Sequence, residues 1–272
     1  VSAGRLYIVA TPIGNLDDIT YRAVKTLKAV DAVAAEDTRH SLKLLSALGI
    51  QKPLISYWSE NEKARSEEVL SSLRAGFSVA LISDAGTPGI SDPGSVLIRK
   101  AIDEGIEVIP IPGPSAAIAA LSVSGLPTEE FTFIGFLPAK SGQRRKRLQQ
   151  LALEERTLVF YEAPHRILEM VHDLFDIFGD RQALVMREIS KLHEQVFRGT
   201  LSQILGQLGT STIAGEYVVA TAGMLREAIP VDVALQEVRA LMKKGLARKE
   251  AAKRVAESFG LSKKELYDKS LD

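Results

Sequence analysis

The stretch VALISDAGTPGISDPG, Val79 to Gly94, decides how this chain of 272 residues is read. Val79 to Ser83 is a short, β-prone apolar run that ends abruptly in turn residues, the pattern of a buried strand. Asp84 to Gly94 then carries Gly86, Gly89 and Gly94 with Pro88 and Pro93, which rules out helix or strand along most of its length. Glycine lets backbone approach a ligand closely, and proline stiffens the path at little entropic cost. Asp84, at the strand end, is positioned to accept hydrogen bonds from a hydroxyl or ammonium group; a turn aspartate satisfied by its own loop is the alternative.

Working outward, Leu6 to Ala10, Ala32 to Ala35, Leu54 to Trp58 and Val108 to Ile111 are further predicted strands. Ile19 to Leu27, Leu42 to Leu48, Glu62 to Leu73 and Val96 to Ile102 place apolar residues three and four apart, as helices do. Strands alternating with helices predict an α/β fold with a largely parallel sheet and a ligand beyond the carboxyl ends of the strands. Two more loops fall at that edge. Thr11-Pro12-Ile13-Gly14-Asn15-Leu16 follows the first strand and lacks the G-x-G-x-x-G pattern, which argues against a dinucleotide. Pro112-Gly113-Pro114-Ser115-Ala116-Ala117 leads into a helix from Ala116 to Leu121, with Ser115 as its N-cap and free N–H groups available to a carboxylate.

A second α/β unit follows, with strands at Phe131 to Leu137, Leu158 to Tyr161, Leu184 to Arg187 and Tyr217 to Thr221, a helix at Ile167 to Phe178, and Glu194 to Gly199 as an edge strand. After Pro230 the pattern is purely helical: Val231 to Lys243, Ala247 to Phe259, and Ser262 to Leu271 opened by a Ser262/Glu265 capping box. The expected organisation is therefore an N-terminal α/β domain over 1–114, a second α/β domain over 115–228, and a helix-turn-helix-like subdomain over 229–272.

Lysine and arginine number 34 against 34 aspartates and glutamates, so net charge says little until it is divided. Basic residues cluster at Lys140, Arg144, Arg145, Lys146 and Arg147, and again at Lys243, Lys244, Arg248, Lys249, Lys253 and Arg254. A single such run is commonly a solvated helix face; two in a neutral chain point to an anionic partner. With no cysteine there is neither a disulfide framework nor a thiolate metal site. No secretory signal pattern and no span of membrane length is evident, so a cytoplasmic address is expected.

TPIGNLDDIT, EDTRHS, SDAGTPGISDPG and PGPSA occur after the first, second, fourth and fifth strands, in the order seen in the tetrapyrrole methylase superfamily, which the chain resembles. The likeness continues through FYEAPHRI, Phe160 to Ile167, and the helical tail. It implies two α/β domains with S-adenosylmethionine bound between them, no metal, and a homodimer. Corrin-pathway members carry a G-G-D-P type loop where Asp84 to Thr87 stands, and the resemblance is nearer to members acting on ribosomal RNA. It therefore implies 2′-O-methylation of a cytidine in the 16S rRNA of the small ribosomal subunit. The implied cofactor residues are Thr11, Pro12, Gly14, Asp84, Ala85, Gly86, Thr87, Ser115 and Ala116, with Met186 and Ala222 from the second domain. Glu36, Asp37, Thr38 and Arg39, with Tyr161, Glu162, His165 and Arg166, are placed around the substrate nucleotide.

A neutral ribose hydroxyl is a poor nucleophile, and a carboxylate or imidazole accepting its proton helps; Glu36, Asp37, Glu162 and His165 are candidates, His165 equally as a cap of its following helix. Methylation at cytosine carbon 5 generally needs a cysteine, which this chain lacks. Phosphates are expected to meet Arg144, Arg145, Lys146, Arg147, Arg166, Arg248, Lys249 and Lys253. With aromatic residues at 6% and one tryptophan, Trp58, recognition must rest on shape and charge more than on stacking. Two other readings compete: methylation of a tetrapyrrole, which leaves the basic helices unexplained, and a non-catalytic RNA-binding module, which leaves the Asp84 to Gly94 loop without a purpose.

Overall fold

The computed structural model describes residues 4–225 and 231–270. Contacts gather the chain into two compact units, Val1–Met224 and Leu225–Asp272. The expected boundary at 228/229 and the start of the tail at Pro230 lie outside the described residues, as does Leu271.

The first unit contains two five-stranded sheets. One has the order β3-β2-β4-β1-β5, from β1 (Arg5–Val9), β2 (Ala32–Ala35), β3 (Leu54–Ser56), β4 (Val79–Ile82) and β5 (Glu107–Ile111). Every pairing in it is parallel, so all five strands release their loops at one edge. The central strand β4 is buried at each of its four residues. Val79 and Leu81 pack against α3 (Glu62–Arg74) and α4 (Ser95–Asp103); Ala80 and Ile82 face α1 (Tyr21–Ala29) and α2 (Thr38–Ala47). A strand covered on both faces needs a continuous apolar run rather than alternation, which is why VALI reads as it does.

After α5 (Ala116–Ser122), the second sheet has the order β6-β7-β10-β8-β9, from β6 (Phe131–Phe136), β7 (Thr157–Glu162), β8 (Gln182–Arg187), β9 (Gln195–Thr200) and β10 (Tyr217–Thr221). β6 and β7 are parallel, whereas β10 runs antiparallel to both β7 and β8. Its faces are covered by α5 on one side and by α6 (Ser141–Leu151), α7 (Ile167–Phe178) and α8 (Leu201–Gly209) on the other. The edge strand expected near Glu194 to Gly199 is β9. Helix α8 was not expected, because Gly206 and Gly209 dilute its periodicity. Its N-terminal signal was nonetheless present: Thr200 and Gln203 form a reciprocal capping box.

Arg144 corrects the reading of the first basic cluster. On α6, Arg144, Leu148 and Leu151 share the buried face, and the Arg144 side chain is only 2% exposed. Its Nε donates to Asp173 Oδ2 at 2.6 Å and its Nη2 to Glu169 at 3.2 Å. Arg145 completes the network with bonds of 2.5 Å to Asp173 and 2.9 Å to Asp176 on α7. Arg144 thus anchors α6 to α7 and has no free face for a phosphate; Lys146 and Arg147 remain exposed.

In the second unit, α9 (Val231–Lys243), α10 (Arg248–Phe259) and α11 (Lys263–Lys269) enclose a small core of Ala234, Val238, Ala251, Val255 and Leu266. Gly260 closes α10 in the left-handed conformation, and Ser262 caps α11 through the Glu265 amide. No helix among the described residues is long and apolar enough to cross a membrane.

Candidate active site

At the carboxyl edge of the first sheet, two loops are tied together. Thr11, just beyond β1, exchanges backbone hydrogen bonds of 2.9 and 3.1 Å with Gly86, just beyond β4. The buried Thr11 hydroxyl adds a bond of 3.0 Å to the Ser83 carbonyl. Gly86 has φ +81°, a conformation that costs an L side chain about 1–2 kcal/mol. The far end of this loop is held by Glu62 of α3, whose Oε1 accepts from the amides of Gly94 (2.9 Å) and Val96 (3.1 Å) and so caps α4.

The second sheet contributes from the end where β6 and β7 stop and β10 begins. Phe136, Tyr161 and Phe133 form an edge-to-face cluster, Tyr161 lying 5.7 and 5.0 Å from the two phenylalanine rings. Ser115 is the N-cap residue of α5, as expected, but its side chain makes no capping bond; the Tyr161 hydroxyl accepts the Ala117 amide at 3.3 Å instead. Glu162 is fully buried. Its Oε1 takes the Arg166 guanidinium at 2.5 Å and the Ala163 amide at 2.7 Å. Its Oε2 and the buried Tyr217 hydroxyl have no hydrogen-bond partner among the described residues. Buried polar atoms left open in this way are costly unless a ligand completes them.

These elements enclose a cavity of about 430 Å³, within the usual range for small-molecule sites. Its lining includes five carboxylates, Glu36, Asp84, Asp92, Glu162 and Glu216, and no lysine, arginine or histidine. Glu216 has an outside partner in Lys191, at 3.0 Å. Burial, reinforced by the neighbouring Asp84, holds the Glu36 carboxyl above its ordinary range. Burial also lifts Asp92, to about 7, with help from the charges of Glu36, Asp84 and Glu216. A chamber with this lining favours a ligand that brings positive charge.

Of the expected cofactor residues, Asp84, Ala85, Gly86, Thr87, Ser115 and Ala116 line the cavity. From the first loop it is Ile13 that lines it, while Thr11 acts from behind and Gly14 packs against Lys191. Two residues carried over from the second domain do not belong to the lining. Met186 is 4% exposed and packs with Ala117 and Val218 in the apolar layer beneath α5. Ala222 follows the far end of β10: Tyr217 at the strand's start pairs with Glu162, whereas Thr221 pairs with Leu158, so Ala222 lies roughly 17 Å away at about 3.3 Å per residue.

Among the catalytic candidates, Glu36 and Glu162 line the cavity. Asp37 does not; its carboxylate caps α2 through the Arg39 amide at 2.8 Å, and that bond lowers its pKa. Arg39 and His165 are exposed and outside the lining, and Arg166 is largely buried against Glu162. Sequence reading missed Asp92, Phe136, Ile189, Glu216 and Tyr217. Among the described residues, no group of three or more His, Cys, Asp or Glu is disposed to hold a metal ion.

The family profile of the tetrapyrrole (corrin/porphyrin) methylases matches residues 5–205. Solved structures share the fold: a uroporphyrin-III C-methyltransferase from Thermus thermophilus (TM-score 0.59, 21% identity, 80% of this chain and 94% of that one) and a diphthine synthase (TM-score 0.61, 16% identity, 82% and 92%). Proteins named ribosomal RNA small subunit methyltransferase I are similar over nearly their full length. The one from Synechocystis is 49% identical, covering 99% of this chain and 98% of its own; the one from Bacillus subtilis is 40% identical, covering 97% and 93%. With the profile matching residues 5–205, through β9, and such relatives aligned over nearly the whole chain, this protein belongs to the tetrapyrrole methylase family.

Proposed function

We propose that the chain transfers the methyl group of S-adenosylmethionine to the ribose 2′-oxygen of a cytidine in the 16S rRNA of the small ribosomal subunit. The observation that carries the donor is the carboxylate-lined cavity. S-adenosylmethionine bears a sulfonium and an ammonium, and the open Glu162 Oε2 and Tyr217 hydroxyl supply unpaired polar atoms for it. The donor brings an already activated methyl group, so the chain's task is to hold donor and acceptor in line and to receive a proton. The relatives' names support the RNA, and the family's dimeric state and a cytoplasmic address belong to the same proposal. So does division of the first unit into two domains near residue 114, each built on one sheet.

Labelled methyl transfer tests the reading. Small subunits from cells lacking the gene should accept label from the donor, and digestion should place it on cytidine ribose. Label on the base, or none in the RNA, would refute it.

The RNA contacts are proposed for the exposed basic residues. Lys249 and Lys253 stand one turn apart on α10, both exposed. Each phosphate contact removed should flatten the logarithmic salt dependence of RNA binding by slightly under one unit. Changing both lysines to glutamine should therefore lower the slope by about 1–2 units in filter binding across a potassium chloride series. An unchanged slope would reduce these lysines to a solvated face.

A further inference from the structure

We propose that Asp92 is the residue that takes the proton from the acceptor hydroxyl, an inference that rests on the ribose reading above. Of the candidate bases named from sequence, Asp37 is spent on capping α2, His165 lies outside the cavity lining, and Glu36 lines it together with Asp92, so both are varied in the test below. Glu162 is neutralised by the Arg166 guanidinium and takes the Ala163 amide on Oε1, and its open Oε2 is assigned above to the donor. Asp84 receives the Asp37 amide at 3.1 Å. Asp92 lines the cavity from the opposite end of the same loop and is half-buried.

Its position matches where a nucleotide must enter. Ile90 and Phe136, 53% and 55% exposed, line the cavity with it and form an open apolar rim. Ser91 approaches Gly135 of β6 so closely that a Cβ there would lie 2.9 Å from its hydroxyl, so the loop carrying Asp92 meets the second sheet beside Phe136. An exposed ring at the rim offers a face to a base, which leaves the attached ribose toward Asp92.

The groups around Asp92 set its basicity. Glu36 follows β2, Asp84 follows β4, Glu216 precedes β10, and Tyr161 stands on β7; the Ser83 hydroxyl, at the end of β4, acts in the opposite sense to the three acids and favours the carboxylate. Burial is the main cause of the raised basicity, and the negative charges of Glu36 and Asp84 act in the same direction, so Asp92 gains and loses a proton near neutrality. A carboxylate so poised removes a hydroxyl proton better than an ordinary one, yet remains deprotonated in about half the molecules at pH 7. In the step, the ribose O–H bond breaks and its proton passes to the Asp92 carboxylate. The ribose oxygen bonds to the methyl carbon as the carbon–sulfur bond breaks, that bond's electron pair remaining on sulfur. Asp92 returns the proton to water before the next turnover.

The test has two readouts. In the free protein labelled with ¹³C at aspartate carboxyls, NMR titration should show one carboxyl with a midpoint near 7, absent from Asp92→Asn and shifted to lower pH in Glu36→Gln, which removes a neighbouring charge. In single-turnover methyl transfer to small subunits at saturating donor, the parent rate should rise with pH through one inflection, below the free protein's midpoint because the donor's positive charges favour the carboxylate. Asp92→Asn should be slower by about 10²-fold and lose the inflection, while Glu36→Gln should keep it at lower pH. A fall of less than about tenfold in Asp92→Asn, a surviving inflection, or an unmoved midpoint in Glu36→Gln would overturn the proposal. Label on the base in the parent reaction would remove the ribose reading and this role together. Ribose label with an Asp92→Asn variant of near-parent rate would discard only the role.

Discussion

Replacing Asp173 by alanine is expected to destabilise the first unit by about 3–5 kcal/mol, the range found when one partner of a buried ion pair is removed. The Arg144 guanidinium, 2% exposed, would lose its 2.6 Å partner and keep as its one counter-charge among the described residues Glu169, which is itself 68% exposed, beside the Ala139 carbonyl at 3.4 Å. At about 2–4 °C per kcal/mol for a unit of this size, the melting temperature should fall by roughly 10 °C. Arg144→Met should cost less, because Arg145 still neutralises Asp173 at 2.5 Å. Combining Arg144→Met with Asp173→Leu should recover most of the loss, since an apolar pair of similar volume carries no desolvation penalty. Urea denaturation of the four proteins checks this. A loss below about 1 kcal/mol in Asp173→Ala would mean that water reaches the guanidinium.

The second large effect is expected at Gly86. An added Cβ would sit 3.7 Å from Ile13 and 4.0 Å from the Pro114 carbonyl, so nothing in the fold blocks it. A longer side chain would instead grow into the space between the three strand-end loops. Gly86→Leu should therefore cost about 1–2 kcal/mol for the left-handed backbone and at least about a hundredfold in affinity for S-adenosylmethionine, some 2.7 kcal/mol. Calorimetry for the donor beside a melting curve separates the two. Donor affinity within about tenfold of the parent's would show that the loops do not enclose the ligand.

The first sheet was legible because its local signals agree. The apolar run of β4, the helical spacing around it and the glycine-proline loops at one edge all follow from a parallel sheet covered on both faces. Asp84 to Thr87 and Ser115-Ala116, named from those loops, accordingly all line the cavity. The second sheet is mixed, and there the same habit of looking after each strand fails. β10 runs the opposite way, so its first residue, Tyr217, faces the cavity and Ala222 points away. Pairing between segments far apart in sequence decides this, and no local pattern encodes it. Arg144 was misread for a different reason. A charge run draws attention to the residue types, whereas the spacing 144, 148, 151 already placed Arg144 on the apolar stripe of α6.

The cavity's lining runs from Ile13 to Val218. During synthesis, a chain that has emerged only as far as β9 holds the first sheet's loops but not the strand that sits between β7 and β8 and closes the opposite wall. On the proposed reading, a chain that stops before β10 lacks one wall of the donor's cavity. Donor bound once β10 is in place would, on the same reading, stabilise both sheets together by mass action, whether or not α9 to α11 have followed.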